Sequence, residues 1–277
     1  MVVILRITAR PGIRDETTVQ VMKEEGRDNT SKSYMWLARG GPPDKPAYLY
    51  QYRQTRASKH IHEFLDGFEG YLQTDGYSGY SSALKDHPDI IHVSCFAHAR
   101  RKFLEAAKAA KKAGSANQAV SFIAKLYKIE HDLRGKELTD EEFLLQRKAA
   151  VEPVLTKFLS WLQKRKEQVV PSVLLGKAIS YTLNEWPKLI RYIESPQLTP
   201  DNNISERAIR PFVLGRKNWL FSGSPTGAES SSAMYSLIET AKANGLDPHS
   251  YLLKLFDKAP LAESENDWNS LLPWNIV

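Results

Sequence analysis

Residues 89–103 read DIIHVSCFAHARRKF, and within this stretch the chain changes from one periodicity to another. The first part, DIIHVSC, is a short apolar and β-branched run, which is typical of a buried strand. From residue 98 onwards the apolar residues recur at helical spacing, with charged residues between them. The chain therefore passes here from a part rich in strands to a part made of helices.

Upstream of this stretch, strands alternate with turns and short helices. IRDETTVQVM alternates so that its odd-numbered residues from Ile13 to Val21 share one face, as in a half-buried strand. SYMWLA and PAYLYQY predict two more strands, and the turn-forming GGPPDKP separates them. GYLQT predicts a further strand that stops at Asp75-Gly76. This half of the chain predicts a sheet.

Downstream, the pattern is helical through residues 98–195. Thr139 and Glu142 predict a capping box that opens one of these helices, and Pro187 is expected to open a separate helix over residues 187–194. More helices follow residue 201, with a predicted strand NWLF between them.

The last helices have no sheet of their own to cover, so we predict that they pack on the first sheet. The helical region is then an insertion in the sequence between that sheet and the last helices. The predicted fold is mixed α/β. Its parts are residues 1–97 and 199–256 as the two portions of an α/β core, 98–198 as a helical insertion and 257–277 as a tail.

The composition narrows the class of protein. The chain is 42% hydrophobic and 25% charged, as in folded globular proteins, and its net charge of +6 favours an acidic partner, nucleic acid first. Cys95 is the single cysteine, which excludes an intrachain disulfide and fits a reducing compartment. No segment approaches the ~18 apolar residues of a membrane span, and no secretory signal opens the chain. We expect a cytoplasmic protein without a membrane partner.

Three carboxylates lie at positions suited to a metal site. Asp15 lies within a predicted strand, Asp75 lies where a strand ends, and Glu206 lies on a helix between arginines. Magnesium prefers hard oxygen ligands, and carboxylates from separate elements can supply them. Each residue also has an ordinary interpretation: an edge-strand acid, a turn aspartate and one partner of an ion pair. Spacing alone leaves both interpretations open.

Several stretches, in their order along the chain, resemble the transposases of the insertion-sequence 66 family, which belong to the DDE group. The resemblance covers residues 15–255 and is specific because several unusual motifs follow in the same order. The matching stretches are DETTVQVM, KSYMWLARG, GYLQTDGYSGY, CFAHARRKF and the long block that begins DNNISERAIRPFVLGRKNWLFSGS. The resemblance implies a ribonuclease-H-like mixed sheet with a large helical insertion before the last catalytic helix.

The same resemblance implies a catalytic triad and its cofactors. Asp15 corresponds to the acid of the DET motif, Asp75 to that of TDGY, and Glu206 to the glutamate of NNxxER. Together they are expected to hold two Mg²⁺ or Mn²⁺ ions for cleavage and strand transfer of DNA. The implied partners are transposon ends, target DNA, a second copy of the chain in a synaptic complex and accessory proteins encoded by the element. The implied location is the bacterial nucleoid.

Two features depart from the family pattern. The chain begins almost at the first acid, and Pro11-Gly12 interrupts the apolar run that should lead into DET. Residues 1–12 are therefore expected to lie outside the family pattern, and the chain to be an N-terminally truncated copy of the catalytic core.

Basic residues near these motifs are candidate DNA contacts. The first group lies on the predicted helix after Cys95. Its side chains could neutralise DNA phosphates, or they could form a solvated helix face. The second group follows Glu206, uninterrupted by acids, and includes an aromatic ring that could stack on a base or belong to the core. The candidates are Arg100, Arg101, Lys102, Arg207, Arg210, Arg216, Lys217 and Trp219.

Four further residues are expected to support the site. Cys95 and His98 form a C-x-x-H pair, for which bracing a strand–helix junction is favoured over zinc because no second pair occurs. Asn202 and Asn203 could orient Glu206, although capping its helix is the simpler role.

Three functions remain open at this stage. The first is the catalytic core of a DDE transposase. The second is an inactive remnant that binds DNA or a partner subunit, which the unusual N-terminus favours. The third is a nuclease of the same fold that cuts DNA without joining it.

Overall fold

The computed structural model describes residues 12–42, 44–75, 78–110, 114–201 and 203–276, without the side chains of residues 12–15, 78, 81 and 204–206. The described strands are β1 (Gly12–Val21), β2 (Lys32–Gly40), β3 (Ala47–Arg53), β4 (Gly70–Thr74), β5 (Ile90–Ser94) and the short β6 (Phe221–Ser222). They form a mixed sheet in the order β3-β2-β1-β4-β5, with β6 parallel to β1.

Helices account for most of the described residues, so the chain is a mixed α/β protein. The first part contains two short helices, α1 (Ser58–Leu65) and α2 (Ser78–Ala83). The middle part contains α3 (Phe96–Ala109), α4 (Ser115–Arg134), α5 (Asp140–Gln168) and α6 (Leu174–Leu189). The last part contains α7 (Asn203–Trp219), α8 (Pro225–Ala243), α9 (Pro248–Lys258) and α10 (Glu265–Ser270).

The chain divides into two compact units. The first unit comprises residues 1–72, 79–90 and 204–277, and the second comprises residues 73–78 and 91–203. The division falls within β4 and within β5. The predicted domain boundaries at 98, 199 and 257 remain a prediction, because compactness groups residues by contact and does not define an inserted domain.

In the first unit, β1, β2 and β3 form an antiparallel meander. Asp15 of β1 pairs with Leu37 of β2, and Met35 of β2 pairs with Tyr52 of β3. Alternate residues of β1 point into the core, as the period of a strand requires, and Val19 and Val21 are buried there. The face is covered by α7 and α8, whose buried residues in this core are Ala208, Ile209, Phe212 and Ala228.

Helix α8 also protects the edge of the meander. The backbone N–H of Tyr48 donates to Thr240 Oγ1 over 3.0 Å, and that of Tyr50 donates to Ser236 Oγ over 2.8 Å. Unpaired N–H groups on an edge strand otherwise invite pairing with another chain. The hydroxyls of α8 thus satisfy two outward-facing donors of β3.

The C-terminal segment predicted as a tail is folded. Helix α10 begins with a capping box between Ser264 and Asp267. Leu271 is buried with Ala241, Tyr251 and Leu255, so residues beyond 257 contribute to a small core. The acidic residues of the segment lie on its solvent side, while a few apolar residues hold the other side. The predicted boundary at residue 257 stays a prediction.

In the second unit, helices α3 to α6 pack around aromatic side chains. Phe158 lies at the centre, with its ring centroid 5.1 Å from that of Phe122 and 5.5 Å from that of Trp186. Phe103 and Trp161 pack on Phe158 from 6.4 and 6.2 Å. Burial of such large rings is the main term that stabilises a helical unit of this size.

A fully buried arginine anchors the segment that follows α6. Arg147 of α5 donates hydrogen bonds to the carbonyl oxygens of Tyr192, Ser195 and Leu198 over 2.8–3.0 Å, and to Glu130 Oε1 over 2.8 Å. Burial lowers the pKa of Arg147, and the charge of Glu130 opposes that shift. The guanidinium therefore fixes the chain just before residues 199–201.

Two local predictions were wrong. Residues 187–194 do not form a separate helix, because Pro187 lies in the last turn of α6 and is followed by a 3₁₀ turn. The predicted strand NWLF is also absent, since Asn218 and Trp219 end α7 and the short strand β6 begins at Phe221.

Candidate active site

The three predicted acids lie on three different elements. Asp15 lies in β1, Asp75 directly follows β4, and Glu206 lies in the first turn of α7. Strands β1 and β4 are neighbours in the sheet order. Asp15 and Glu206 belong to the first compact unit and Asp75 to the second.

No preformed metal site appears among the side chains that the structure describes. Within that set, no group of three or more His, Cys, Asp or Glu residues could hold a metal ion. The side chains of Asp15 and Glu206 lie outside the set. The finding therefore bears on other sites, including one built on Cys95 and His98, and leaves the predicted triad untested.

The backbone around Asp75 is held by buried polar groups. The hydroxyl of Thr74 donates to the carbonyl oxygen of Asp75 over 2.7 Å, and it lies 2.8 Å from Nε2 of His92. Since a hydroxyl has one hydrogen, the bond to His92 requires that Nε2 carries the proton and donates. Burial lowers the pKa of His92 to about 4, which keeps this imidazole neutral near pH 7.

A second set of bonds holds the chain that leads to α7. Gln73 Nε2 donates to the carbonyl oxygen of Thr199 over 2.8 Å, and the backbone N–H of Phe96 donates to that of Pro200 over 2.8 Å. Gln73, two residues before Asp75, and the first residue of α3 are thus tied to the same short segment. That segment continues into the helix that carries Glu206.

The start of α7 is capped by an acid that the sequence analysis did not single out for this role. Asp201 Oδ1 accepts from the backbone N–H of Asn203 over 3.0 Å, and Oδ2 accepts from its side-chain Nδ2 over 2.6 Å. Asn203 is the first residue of the helix rather than its cap. Asn202 lies outside the described residues. The sequence DNN, an acid followed by two amides, was the signal for this local cap.

One tyrosine near Asp75 was missed by sequence reasoning. Burial raises the pKa of the Tyr181 hydroxyl, and the charges of Glu185, Cys95 and Asp75 raise it further, while Arg101 lowers it. The ammonium of Lys102 lies 4.7 Å from the centroid of the Tyr181 ring. No local signal marks Tyr181, because it lies in an ordinary amphipathic helix more than a hundred residues after Asp75.

The basic residues after Glu206 separate into two groups. Arg207, Arg210 and Lys217 are exposed on one face of α7. Arg216 instead donates from Nη1 to the carbonyl and hydroxyl oxygens of Thr18. The ring of Trp219 packs edge-on against the buried ring of Phe212, with 5.4 Å between centroids.

The basic residues of α3 are also not equivalent. Arg101 and Lys102 are exposed, whereas Arg100 is half-buried and its Nε has no hydrogen-bond partner among the described residues. Cys95 is buried at the residue before α3, and His98 lies in the first turn. The bracing role of the pair at this strand–helix junction stays a prediction.

Two sequence models of one protein family match this chain. A sequence model of the family described as "Transposase IS66 family" matches residues 7–230, and one described as "IS66 C-terminal element" matches residues 236–274. The first match begins at residue 7, which corrects the expectation that all of residues 1–12 lie outside the family pattern. Both predicted aspartates and Glu206 lie within it.

Three relatives from Sinorhizobium fredii resemble the whole chain. The uncharacterized protein y4jD is 30% identical and covers 97% of this chain and 54% of its own length. The uncharacterized proteins y4qI and y4hP are 30% and 31% identical, over 95% and 94% of this chain and 50% of their own lengths. The chain thus spans about half the length of the curated relatives it matches. Among the described helices, none is long and apolar enough to cross a membrane.

Proposed function

The chain belongs to the IS66 family of transposases, and on that premise we propose that it is the catalytic core of a DNA transposase. The proposed reaction hydrolyses a phosphodiester bond at the end of a mobile element and then uses the freed 3′ hydroxyl to attack target DNA. The observation that carries this proposal is the family match over residues 7–230, which includes all three predicted acids.

Asp15, Asp75 and Glu206 are proposed as the ligands of two Mg²⁺ or Mn²⁺ ions. The donor set fits such ions, because carboxylate oxygens are the hard ligands that Mg²⁺ and Mn²⁺ prefer. When bound, the ions would activate the attacking oxygen and stabilise the leaving oxygen. The protein's own contribution at Asp75 is positional: Gln73, Thr74 and His92 hold the strand end that leads into Asp75, and Thr74 also binds its carbonyl group.

The fold is proposed to be ribonuclease-H-like. The support is an antiparallel meander of β1 to β3, followed by β4 and β5 with short helices between the strands. The helices between residues 96 and 189 then correspond to the insertion that the family resemblance implies.

DNA contacts are proposed for the exposed basic residues only. Arg207, Arg210 and Lys217 on α7, with Arg101 and Lys102 on α3, can each neutralise a backbone phosphate. Arg216 and Trp219 are left out, because one is bonded to Thr18 and the other packs on the core. Recognition of transposon ends, assembly of two copies in a synaptic complex and accessory proteins are further parts of the proposal.

The test is metal-dependent cleavage of labelled duplex DNA by the parent protein, Asp75→Ala and Asp132→Ala. Asp132 is an exposed acid on α4 in the same compact unit, so its substitution controls for the loss of one carboxylate. We expect the parent and Asp132→Ala to cut in Mg²⁺ or Mn²⁺ and not in EDTA. Asp75→Ala should bind DNA as the parent does and leave it uncut.

Equal cutting by Asp75→Ala and the parent would overturn the assignment of this acid. A parent protein that binds DNA and never cuts it would instead support an inactive remnant. Cleavage without joining of the freed 3′ end to a second duplex would point to a nuclease of the same fold.

A further inference from the structure

Tyr181 lies among charged side chains of the second compact unit. It lies on α6, and its ring faces the ammonium of Lys102 on α3. The carboxylate of Asp75 and the guanidinium of Arg101 both act electrostatically on its hydroxyl.

Gln73, at the end of β4, and Phe96, at the start of α3, both bind the segment formed by residues 199–200. The start of α3, and with it the ring of Tyr181, therefore lies in the neighbourhood of the strand end that carries Asp75.

The hydroxyl of Tyr181 is available to a ligand. Within the described part of the chain it makes no hydrogen bond, and the side chain is only half-buried. The phenolic oxygen is accessible from outside the chain, so a ligand can reach it.

The phenol and the cations of α3 together suit a phosphate oxygen as that ligand. Glu185 and Asp75 act on the hydroxyl with negative charge, but the carboxylate of Glu185 is engaged by Ser94 Oγ over 2.6 Å and by Lys188 Nζ over 3.2 Å. Asp75 is the acid proposed to hold the metal ions. Arg101 and Lys102 supply positive charge from α3, and a phenol is protonated near neutral pH and can donate a hydrogen bond.

We propose that Tyr181 donates a hydrogen bond from its hydroxyl to a phosphate oxygen of the DNA strand held at Asp75, with Arg101 and Lys102 beside it. This inference rests on the proposed function and deepens it, because it makes the helical insertion part of the substrate-binding site. The chemical class of the ligand is a nucleic-acid phosphodiester.

The test compares Tyr181→Phe and Tyr181→Ala with the parent, using labelled duplex DNA and Mn²⁺. Tyr127→Phe is the matched control, since Tyr127 is a half-buried tyrosine on α4 of the same unit. Three quantities are measured: the cleavage rate constant at sub-saturating DNA, the unfolding midpoint, and the dissociation constant in EDTA, where no metal ions hold a strand at Asp75. Rates are compared at a temperature where circular dichroism shows every variant fully folded.

Loss of one hydrogen bond to a charged phosphate should lower the cleavage rate constant about tenfold or more in Tyr181→Phe. The rate constant of Tyr181→Ala should fall at least as far, and Tyr127→Phe should cut at the rate of the parent. The dissociation constant and the midpoint of Tyr181→Phe should stay near those of the parent, which a purely structural role of the hydroxyl would not predict.

If Tyr181→Phe cuts at the parental rate and only Tyr181→Ala is slow, the ring matters and the hydroxyl does not, and this inference is wrong. If the parent itself does not cut, the proposed function fails and the inference fails with it. The parental rate therefore distinguishes the two failures.

Discussion

His92 shows how one buried side chain can hold the backbone next to a candidate catalytic acid. Its Nε2 lies 2.8 Å from the hydroxyl of Thr74, which in turn donates to the carbonyl oxygen of Asp75. Burial lowers the pKa of His92, and the charges of Lys188 and Arg191 lower it further, while Glu185 opposes them. The neutral imidazole is thus part of the folded arrangement, and its protonation works against folding.

The stability of the protein should therefore depend on pH through this residue. The pKa of His92 is about 4 in the folded state and about 6.5 in the unfolded chain. As the pH falls, the unfolded state binds the proton before the folded state does. The free energy of unfolding is therefore unaffected by His92 above about pH 6.5, and it decreases as the pH falls towards 4, by up to about 3 kcal/mol. Urea unfolding of the parent and of His92→Gln across this range measures the difference.

Glutamine at position 92 keeps an N–H donor for Thr74 and does not titrate. The parent should lose more free energy of unfolding than His92→Gln between neutral pH and pH 4, and the two should differ little in slope above neutral pH. Parallel curves over the whole range would show that His92 does not couple folding to pH.

At the scale of elements, the turn between α5 and α6 packs closely against the first turn of α6. A Cβ added at Gly176 in the first turns of α6 would overlap the carbonyl oxygen of Val170 and lie 2.9 Å from Cα of Pro171. The incoming chain therefore passes directly over the helix, and only glycine leaves room for it. Helix propensity alone would favour alanine at this position by up to about 1 kcal/mol.

Gly176→Ala should destabilise the protein in spite of that propensity, by about 1–3 kcal/mol, because backbone atoms must shift. Gly135→Ala is the control, since an added Cβ there lies 3.6 Å from the nearest backbone atom and its φ is −78°. The control should be neutral or slightly stabilising. Thermal unfolding of both variants measures the effect, and a stable Gly176→Ala would mean that the turn can relax away from α6.

Elements marked by local signals were predicted from the sequence. The alternation that ends at Val19 and Val21 predicted β1, and Thr139 with Glu142 predicted the capping box that opens α5. Pro187 was misread as the start of a helix. It lies inside α6, where it removes one backbone donor, and its neighbours Trp186 and Leu189 are buried. The burial that decides this case comes from other elements, and no local pattern reveals it.

The residues of the candidate site also differ in how far the sequence alone could reveal their roles. Asp75 could be singled out as a candidate because a strand ends beside it and an unusual motif surrounds it, and its role stays a prediction. The roles of Arg216, Trp219 and Tyr181 could not be predicted in this way, because each depends on a contact between elements distant in sequence: Arg216 with Thr18, Trp219 with Phe212 and Tyr181 with Lys102.

At the scale of the whole molecule, charge is the property that bears most directly on DNA binding. The net charge is +6, and three of the basic residues form an exposed stripe along α7: Arg207, Arg210 and Lys217. Residues that neutralise phosphates release condensed cations, so each contributes about 0.9 to the slope of log affinity against log salt concentration. The stripe should therefore account for a measurable part of that slope.

We expect the triple variant Arg207→Gln, Arg210→Gln, Lys217→Gln to bind labelled duplex DNA more weakly, with a salt slope lower by about 2–3. The control replaces Lys45, Lys254 and Lys258 by Gln, three exposed lysines of the same compact unit. Both variants lose three positive charges, so a general attraction to DNA would lower both slopes equally. A lower slope in the α7 variant alone would mean that phosphates lie along this helix next to Glu206, whereas equal slopes would leave the stripe without a specific role.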